Sequence, residues 1–415
     1  MPLAPTSVDE IDFWDLDMFE FGDPHAAWTL LRAEAPVWWH ERPGGESFWS
    51  ITRYAGGRAV LIDPVTFSSQ RHGIALRTEA VLDQATPAAQ LGFDPMIHTD
   101  PPRHAPLRKI VAPRFTPRSI AQLEDLVRAQ ARSCLDEAAE KRDIDFVTDV
   151  AHRIPAAATF ALLGVPEHDW DHLAELEHRT VTSTDPEFAD GVDAVTSAAA
   201  AGLELFTYFT ALIADRQRHL GDDLLSTYLR GRLEGEPLPA PQIAAEAGLL
   251  LAGGLDTTRA AASAGAMVPL VERPAQMQEL RDDPGLLPVA VEEFVRWSSP
   301  VMSEARTTTT DTQLDGHTFR AGDRVVVWGA SCNRDETMFT EPFQYDVRRA
   351  PNRHLGFAYG EHFCLGAHLA RLTLRIELEE LLARFADFEL TGEPVRVRSN
   401  FVGGLKHLPL RVHPS

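Results

Sequence analysis

Hydrophobic positions along the chain change period several times, and the changes divide it into elements. Residues 26–33 carry apolar side chains at helical spacing behind Asp23-Pro24, an N-cap followed by proline in the first turn, and Pro36 stops the run. Residues 37–39 and 48–52 are β-branched and aromatic, and Arg42-Pro43-Gly44-Gly45 between them predicts a hairpin. A helical period returns over 54–62. Residues 68–102 have mixed polarity, no sustained period and Gly73 and Gly92, so they read as a long loop with at most one short helix, a length that usually carries function. Helical patterns then dominate at 118–141, 146–163, 168–179, 191–219 and 240–271, broken at Asp185-Pro186 and Gly221-Asp222-Asp223. Short strands follow at 312–314, 317–319 and 324–328, with Asp315-Gly316 as a hairpin turn. A helix-favouring run over 367–385 and a terminal hairpin over 399–412 close the chain. No linker-like composition shift or internal repeat interrupts it. The expectation is a mainly α chain with small β-sheets (α+β), one domain over 1–415, with a β-containing lobe at about 1–67 and a helical core at about 68–415.

Composition narrows the function. With 415 residues, 44% of them hydrophobic, the chain can bury a large core. A formal charge of −22 repels a phosphate backbone, so nucleic acid is not an expected partner. Lysine is confined to Lys109, Lys141 and Lys406, which leaves arginine as the main cation. Cys134, Cys332 and Cys364 are too few and too scattered for a disulfide framework or zinc site, which fits a reducing cytoplasm. Cys134 falls in a helical pattern and Cys332 at a buried strand end, and both read as core. Residues 1–23 are acidic, without a signal-peptide pattern, and no run approaches the ~18 apolar residues of a membrane span, so the expectation is a cytoplasmic protein with no membrane anchor.

Chemistry concentrates in residues 352–371. Cys364 lies between Gly360 and Gly366, after a polar loop and before the helical run that starts at Ala367. Free N–H groups and the dipole at a helix start favour thiolate, which is a nucleophile or a metal ligand; the plainer alternative is a small buried hydrophobe. The glycines let the backbone turn tightly and something flat come close. A second cluster, Ala252-Gly253-Gly254-Leu255-Asp256-Thr257-Thr258, sits in the longest helical run. Each interior glycine costs roughly 1 kcal/mol relative to alanine, so close helix packing or a flat cofactor must require it. Thr257 can bond back to the Gly253 carbonyl and bend the helix, and Asp256 needs a partner or a proton-moving role in so apolar a segment. Glu293 and Arg296, three apart within the apolar stretch 286–297, predict a buried ion pair.

The run Phe357-x-x-Gly360-x-His362-x-Cys364-x-Gly366 resembles the cysteine-ligand loop of the cytochrome P450 family. Ala358 departs from it, standing where Gly or Ser is usual, and is expected to stiffen the loop slightly while leaving the ligand intact. Residues 253–257 match the family's distal-helix motif small-Gly-x-acid-Thr, and 293–296 match its Glu-x-x-Arg pair. His98-Thr99-Asp100-Pro101-Pro102 and Phe115-Thr116-Pro117-Arg118 also fit, so the resemblance covers nearly the whole chain. It implies a triangular P450-like helical fold enclosing haem b (iron protoporphyrin IX), with Cys364 as the axial iron ligand and Phe357, Gly360 and Gly366 shaping its loop. It further implies that Gly253 and Gly254 open an oxygen-binding groove, that Thr257 bonds the bound dioxygen, and that Asp256 helps deliver protons. Glu293 and Arg296 take a structural role, with Arg348 or Arg349 as partner. His104, Arg108, Arg306, His354 and His362 match positions that hold the haem propionates.

The implied activity is insertion of one oxygen atom from O2 into a C–H bond of a small-molecule substrate. No nucleotide fingerprint or flavin domain is visible, so electrons are expected from a separate ferredoxin and ferredoxin reductase, docked on a basic patch of Arg103, Arg108, Lys109, Arg114, Arg118, Arg371 and Arg375. Segments corresponding to the family's pocket offer Met96, Leu250, Leu251, Val301, Met302, Phe401 and Val402, which fit an apolar terpenoid, steroid, lipid or polyketide. The resemblance to the bacterial subgroup that oxidises steroid and isoprenoid side chains is looser. Glu304 is expected either to pair with Arg306 or to recognise a substrate hydroxyl or amine. The alternatives are a peroxide-dependent peroxygenase, which would usually lack the acid–threonine pair, a non-catalytic haem-thiolate sensor or carrier, and a cysteine hydrolase, for which no well-placed His/Asn pair is seen.

Overall fold

The computed structural model describes residues 5–43, 45–76, 86–189 and 192–415. Gly44 of the expected hairpin turn, residues 77–85 of the expected long loop and Gly191 at an expected helix start lie outside that set.

The helical body closes around one apolar cluster drawn from the helices Glu124–Lys141, Arg153–Leu163, Trp170–Val181, Ala194–Arg218, Ala240–Ala260, Leu287–Ser298 and Ala367–Arg384. Ala240–Ala260 buries Ile243, Ala247, Leu251, Leu255 and Ala260, so its apolar surface is wide enough for a central position against Arg153–Leu163, Trp170–Val181, Ala194–Arg218 and Ala367–Arg384 among others. It runs on through a π-helical turn, Ala261–Met267, into Val268–Glu272, so the expected run of 240–271 is helical throughout but locally widened. Ala194–Arg218 buries a stripe of Ala201, Leu205, Phe209 and Ile213 at four-residue spacing, packed on Trp170–Val181 and Ala240–Ala260. By length and composition alone this helix could cross a membrane, contrary to the expectation that no segment could; it meets the criterion because alanines occupy much of its outer face.

One five-stranded sheet flanks the body. Val37–His40 pairs antiparallel with Phe48–Ile51, which runs parallel to Arg324–Val327; Glu304–Thr308 and Phe67–Ser68 complete it. The β-lobe expected over 1–67 is thus completed by strands from beyond residue 300. Trp28, Phe48 and Trp328 pack one face, and Val37, Ile51, Val325 and Val327 the other. Asp315 and Gly316 both take positive φ (49° and 80°), as a tight hairpin turn requires. The expected terminal hairpin is absent. Leu405–His407 pairs with Val395–Arg396, whereas Pro409–Pro414 pairs with Phe385–Leu390 and Asp143–Asp145, because the two segments join different sheets on either side of Leu408. Cys332 is buried, but in the short helix Gly329–Cys332 rather than at a strand end.

Candidate functional site

A cavity of about 1110 Å³ lies inside the helical body, with a mostly apolar wall. Cys364, Leu365 and Gly366 border it from one element, and Gly253, Gly254 and Thr257 of the central helix from another. The two motifs, more than a hundred residues apart, therefore share one chamber.

The cysteine loop is held from several sides. Cys364 N–H donates to the Phe357 carbonyl at 2.9 Å, and the Arg371 guanidinium lies 4.4 Å from the centre of the Phe357 ring. Gly360 has φ 72°, and a Cβ there would come within 2.7 Å of the Leu61 carbonyl, so tight backbone approach fixes this glycine. Gly366 differs: a Cβ would meet only Cys364 Sγ, at 4.0 Å, which leaves the surface beside the sulfur open. Ala358, the departure from the family pattern, has φ 57°, a left-handed conformation that costs an alanine about 1 kcal/mol or more. Burial pushes the Cys364 thiol pKa up, only partly opposed by the Gly366 N–H, Arg108 and Arg371.

On the central helix Thr257 Oγ1 donates to the Gly253 carbonyl at 2.7 Å, the back-bond the sequence predicts. The two glycines separate in role. A Cβ on Gly253 would meet nothing within 4 Å, whereas one on Gly254 would lie 2.5 Å from Thr159 Oγ1. Gly253 thus leaves the chamber open, and Gly254 chiefly permits close packing against Arg153–Leu163. Asp256 is fully buried, with Oδ1 3.0 Å from Arg259 Nη2 and 3.4 Å from His178 Nδ1. Burial would raise its pKa, but Arg259 and His178, with His152 behind them, together outweigh burial and hold the carboxyl well below the usual range. Burial and then the Asp256 charge push the Glu177 pKa well above the usual carboxyl range, with Arg259 opposing.

Of the five groups expected to hold propionates, His104, Arg108 and His362 line the cavity. The His104 and His362 rings lie 4.2 Å apart, His362 Nε2 is 3.2 Å from Ser69 Oγ, and Arg108 Nη2 donates to the Phe363 carbonyl at 2.7 Å. Burial, then Arg306, His104, Arg108 and His98, push the His362 pKa down to about 2. Arg306 is buried beside this group, with Nη2 donating to Glu304 Oε2 at 2.9 Å. His354 is turned elsewhere: Nδ1 accepts from the Gly356 N–H at 3.1 Å, and Nε2 lies 3.3 Å from Glu292, which also binds Arg371. It braces the loop instead of facing the chamber, since its place early in the loop points it at the Leu287–Ser298 helix.

Glu293 and Arg296 are fully buried and joined by two bonds of 2.7 Å. Arg349 is the third partner, at 3.3 Å, while Arg348 goes to Glu279. The Asp346 N–H and Asn352 Nδ2 also donate to Glu293, which ties the segment before Cys364 to this helix.

Met96, Leu250, Val301, Glu304, Phe401 and Val402 all line the cavity. Met302 instead packs on Gly403 and near Trp328, and Leu251 is buried in the helix core. Glu304 borders the chamber with its carboxylate committed to Arg306. The expected basic patch is partly neutralised: Arg114 pairs with Asp222, Arg371 with Glu292, and Arg375 with Glu124 and Glu379. Arg103, Lys109 and Arg118 remain exposed, though Arg103 also donates to Gln242 Oε1 at 3.1 Å. Sequence reasoning missed Arg259, His178, His152 and Glu177 around Asp256. Arg259, three residues on, could have been read from helical spacing; the other three are distant in sequence and carry no motif. It also missed Glu246, whose Oε1 accepts from the Met96 N–H at 3.0 Å and fixes that cavity residue.

Comparison with known proteins fits this geometry. The family model described as Cytochrome P450 matches residues 204–406. A putative cytochrome P450 126 from Mycobacterium tuberculosis is 39% identical over 410 residues, 96% of each chain. A methyl-branched lipid omega-hydroxylase from Mycobacterium bovis is 36% identical over 422 residues, 99% of this chain and 95% of that one. A Mycobacterium marinum cytochrome P450 solved in complex with pseudoionone superposes with a TM-score of 0.89 at 34% identity, covering 99% of this chain and 100% of that one. With two motif-bearing walls around one chamber and relatives aligned over nearly its full length, the chain belongs to the cytochrome P450 family and is a haem b monooxygenase.

Proposed function

We propose that this chain hydroxylates an extended apolar molecule of lipid or terpenoid type, with Cys364 as iron ligand and a separate ferredoxin and ferredoxin reductase as electron source. The observation that carries the reading is the shared chamber, in which Cys364 and the Gly253–Thr257 turn border the same apolar volume. The residues present fit haem. His104 Nδ1 and His362 Nδ1 are buried without a hydrogen-bond partner, and the Arg108 and Arg306 guanidinium groups lie beside them. Two carboxylates would satisfy such a cluster. Gly253 and Gly366 leave the walls open where a flat ring would lie.

When bound, haem supplies oxygen activation, and a thiolate ligand favours O–O cleavage. The protein's own groups do the rest. His104, Arg108, Arg306 and His362 bind and orient the propionates. Cys364 would supply the thiolate ligand to the iron. Thr257, with its proton committed to the Gly253 carbonyl, presents oxygen lone pairs toward the chamber, and Asp256 beside it holds a carboxylate able to pass protons. The apolar wall excludes water and positions a C–H bond. The relative named for methyl-branched lipids supports a chain-like substrate. Retention of the acid–threonine pair favours O2 over peroxide as the oxidant.

The decisive test is the ferrous–CO absorption spectrum of wild type and Cys364→Ser. Wild type is expected to show the red-shifted Soret band and the variant to lack it; a wild type without the band overturns the ligand assignment. Oxidation of a methyl-branched fatty acid by the enzyme with a surrogate ferredoxin pair then tests the substrate class, and only peroxide-driven turnover would refute ferredoxin dependence.

A further inference from the structure

Among the described residues the chamber wall carries two carboxyls, Glu177 and Glu304. Glu304 is paired with Arg306 at 2.9 Å. Glu177, on the helix Trp170–Val181, is 1% exposed, and neither of its carboxyl oxygens has a hydrogen-bond partner among the described residues. Arg259 does not supply one: its Nη1 lies 3.0 Å from His178 Nδ1, its Nη2 lies 3.0 Å from Asp256 Oδ1, and its Nε is itself buried without a partner. Thr180, three residues on, donates to the Glu177 main-chain carbonyl at 2.7 Å and leaves the side chain alone. A buried carboxyl with nothing to bond is costly to keep, and such groups belong to sites whose partner arrives from outside.

We propose that Glu177 holds the hydroxyl end of an alcohol substrate, a lipid or terpenoid with one alcohol oxygen on an otherwise apolar skeleton. The proposal rests on the reading of the chamber as the site of an extended apolar molecule, and adds the polar group that the site selects. Both Glu177 oxygens lack partners, so the head group that fits best can donate to one and accept from the other. An alcohol does both, whereas an ether or a ketone only accepts. A carboxylate head would bring a second negative charge toward buried Asp256, whose cationic neighbours already face it. An ammonium head needs Glu177 ionised, which burial and then the Asp256 charge oppose.

Several other hydroxyls of the wall have already given their protons to the main chain. Thr159 Oγ1 donates to the Pro155 carbonyl at 2.9 Å, Thr257 Oγ1 to Gly253 at 2.7 Å and Thr184 Oγ1 to Arg398 at 2.8 Å. Much of the remaining wall is apolar, including Leu162, Leu163 and Val181. A lone hydroxyl carried into this chamber therefore loses its water and finds in Glu177 a group that can both give and take a hydrogen bond. An apolar analogue leaves the carboxyl as unsatisfied as before and gains nothing from it.

The test is a set of low- to high-spin titrations of the haem-loaded wild type, Glu177→Gln and Glu177→Leu with 1-dodecanol and its methyl ether. The ether keeps the chain and the oxygen and loses the donor. Wild type is expected to bind the alcohol roughly 5- to 10-fold more tightly than the ether. Glutamine, which donates and accepts without charge, should keep that preference, and leucine should reduce the ratio to about 1. Because the ratio compares two ligands in one protein, a merely structural role for Glu177 does not move it. A wild type without the preference overturns the proposal, and so does a preference that survives in Glu177→Leu or is lost in Glu177→Gln. Leucine removes an unpartnered carboxyl, so the ligand-free variant should unfold at no lower temperature than wild type; Glu177→Met takes its place if it does not fold. If neither compound shifts the spin state of wild type, the lipid reading of the chamber fails separately, and the carboxyl infrared band that Glu177→Gln abolishes decides the anchor. That band should move to lower frequency when 1-butanol is added, and a band that stays in place overturns the proposal.

Discussion

Arg296→Met is the most informative perturbation of the scaffold, because it separates bracing the cysteine loop from filling space. Arg296 gives Glu293 two bonds of 2.7 Å, and its Nη1 donates to the carbonyls of Asn333 and Pro342 at 2.9 Å. Methionine replaces much of the volume but leaves Glu293 as a fully buried carboxylate with the Asp346 N–H, Asn352 and Arg349. Removing one partner of a buried pair costs about 3–5 kcal/mol, and a dry orphaned carbonyl adds about 1–3 kcal/mol. Arg349, already at 3.3 Å, recovers part of this, so the expected cost is about 4 kcal/mol. That is a large fraction of the roughly 5–15 kcal/mol that holds a domain together. Urea unfolding of the haem-loaded enzyme, followed by tryptophan fluorescence and by the ferrous–CO Soret band, measures it. Because Glu293 also binds the segment leading to Cys364, the band should disappear at lower urea than global unfolding. Pairing the change with Glu293→Leu removes the stranded charge and should restore part of the stability. A single-variant cost below about 1 kcal/mol, or a double variant no better than Arg296→Met, refutes the reasoning.

Gly254→Ala should destabilise the protein by about 1–3 kcal/mol through collision with Thr159, whereas Gly253→Ala should stabilise the haem-free protein by up to about 1 kcal/mol; thermal unfolding of both separates packing from open chamber wall. At Ala358, glycine should be tolerated and valine should cost more than about 1 kcal/mol, because φ is 57°; denaturant titration checks the order. Glu292 adds a pH dependence. Burial would raise its pKa, but Arg371 and then His354 lower it from 4.5 to about 2 in the folded chain. Its stabilisation is therefore present above pH 4.5 and is lost as pH falls toward 2, and Glu292→Gln should flatten retention of the Soret band across that window. Reversing Lys109 and Arg118 to glutamate should slow ferredoxin reduction several-fold without changing haem binding, whereas reversing Arg375, already held by Glu124 and Glu379, should matter less; stopped-flow reduction compares them.

The sequence was most informative where function is written in contiguous residues. The Thr257–Gly253 back-bond and the Glu293–Arg296 pair each depend on helical spacing, whereas the meeting of Cys364 with the central helix was implied by the family resemblance. Hairpin Thr312–Leu314 with His317–Phe319 was legible for the same reason, since Asp-Gly needs only local φ values. The errors share the opposite property. His354 carries a loop histidine's usual ambiguity, and Glu292, 62 positions earlier, decides its direction. Residues 399–412 alternate as a hairpin would, but strands from other parts of the chain claimed each half. The charge around Arg114, Arg371 and Arg375 could not be read from the clustered arginines because their carboxylate partners, Asp222, Glu124, Glu292 and Glu379, come from other parts of the chain or of the same helix.

Asp256 shows why this boundary matters for mechanism. Read locally, it is one acid in an apolar helix beside a threonine. Its charge state is set by Arg259, one turn away, and by His178 and His152 from two other elements, while its own charge helps keep Glu177 protonated. The pKa values of two carboxyls buried in one neighbourhood are thereby pushed in opposite directions, Asp256 down and Glu177 up, an arrangement that suits handing protons inward. Replacing Arg259 with Gln tests that division directly. Loss of the guanidinium should weaken the hold on the Asp256 charge and relieve the pressure on Glu177, so the two carboxyls should converge in protonation, measurable as carboxyl bands in the infrared difference spectrum between acid and alkaline samples. If Asp256 remains ionised and Glu177 protonated in that variant, the local helix environment, and not the assembled cluster, sets their states.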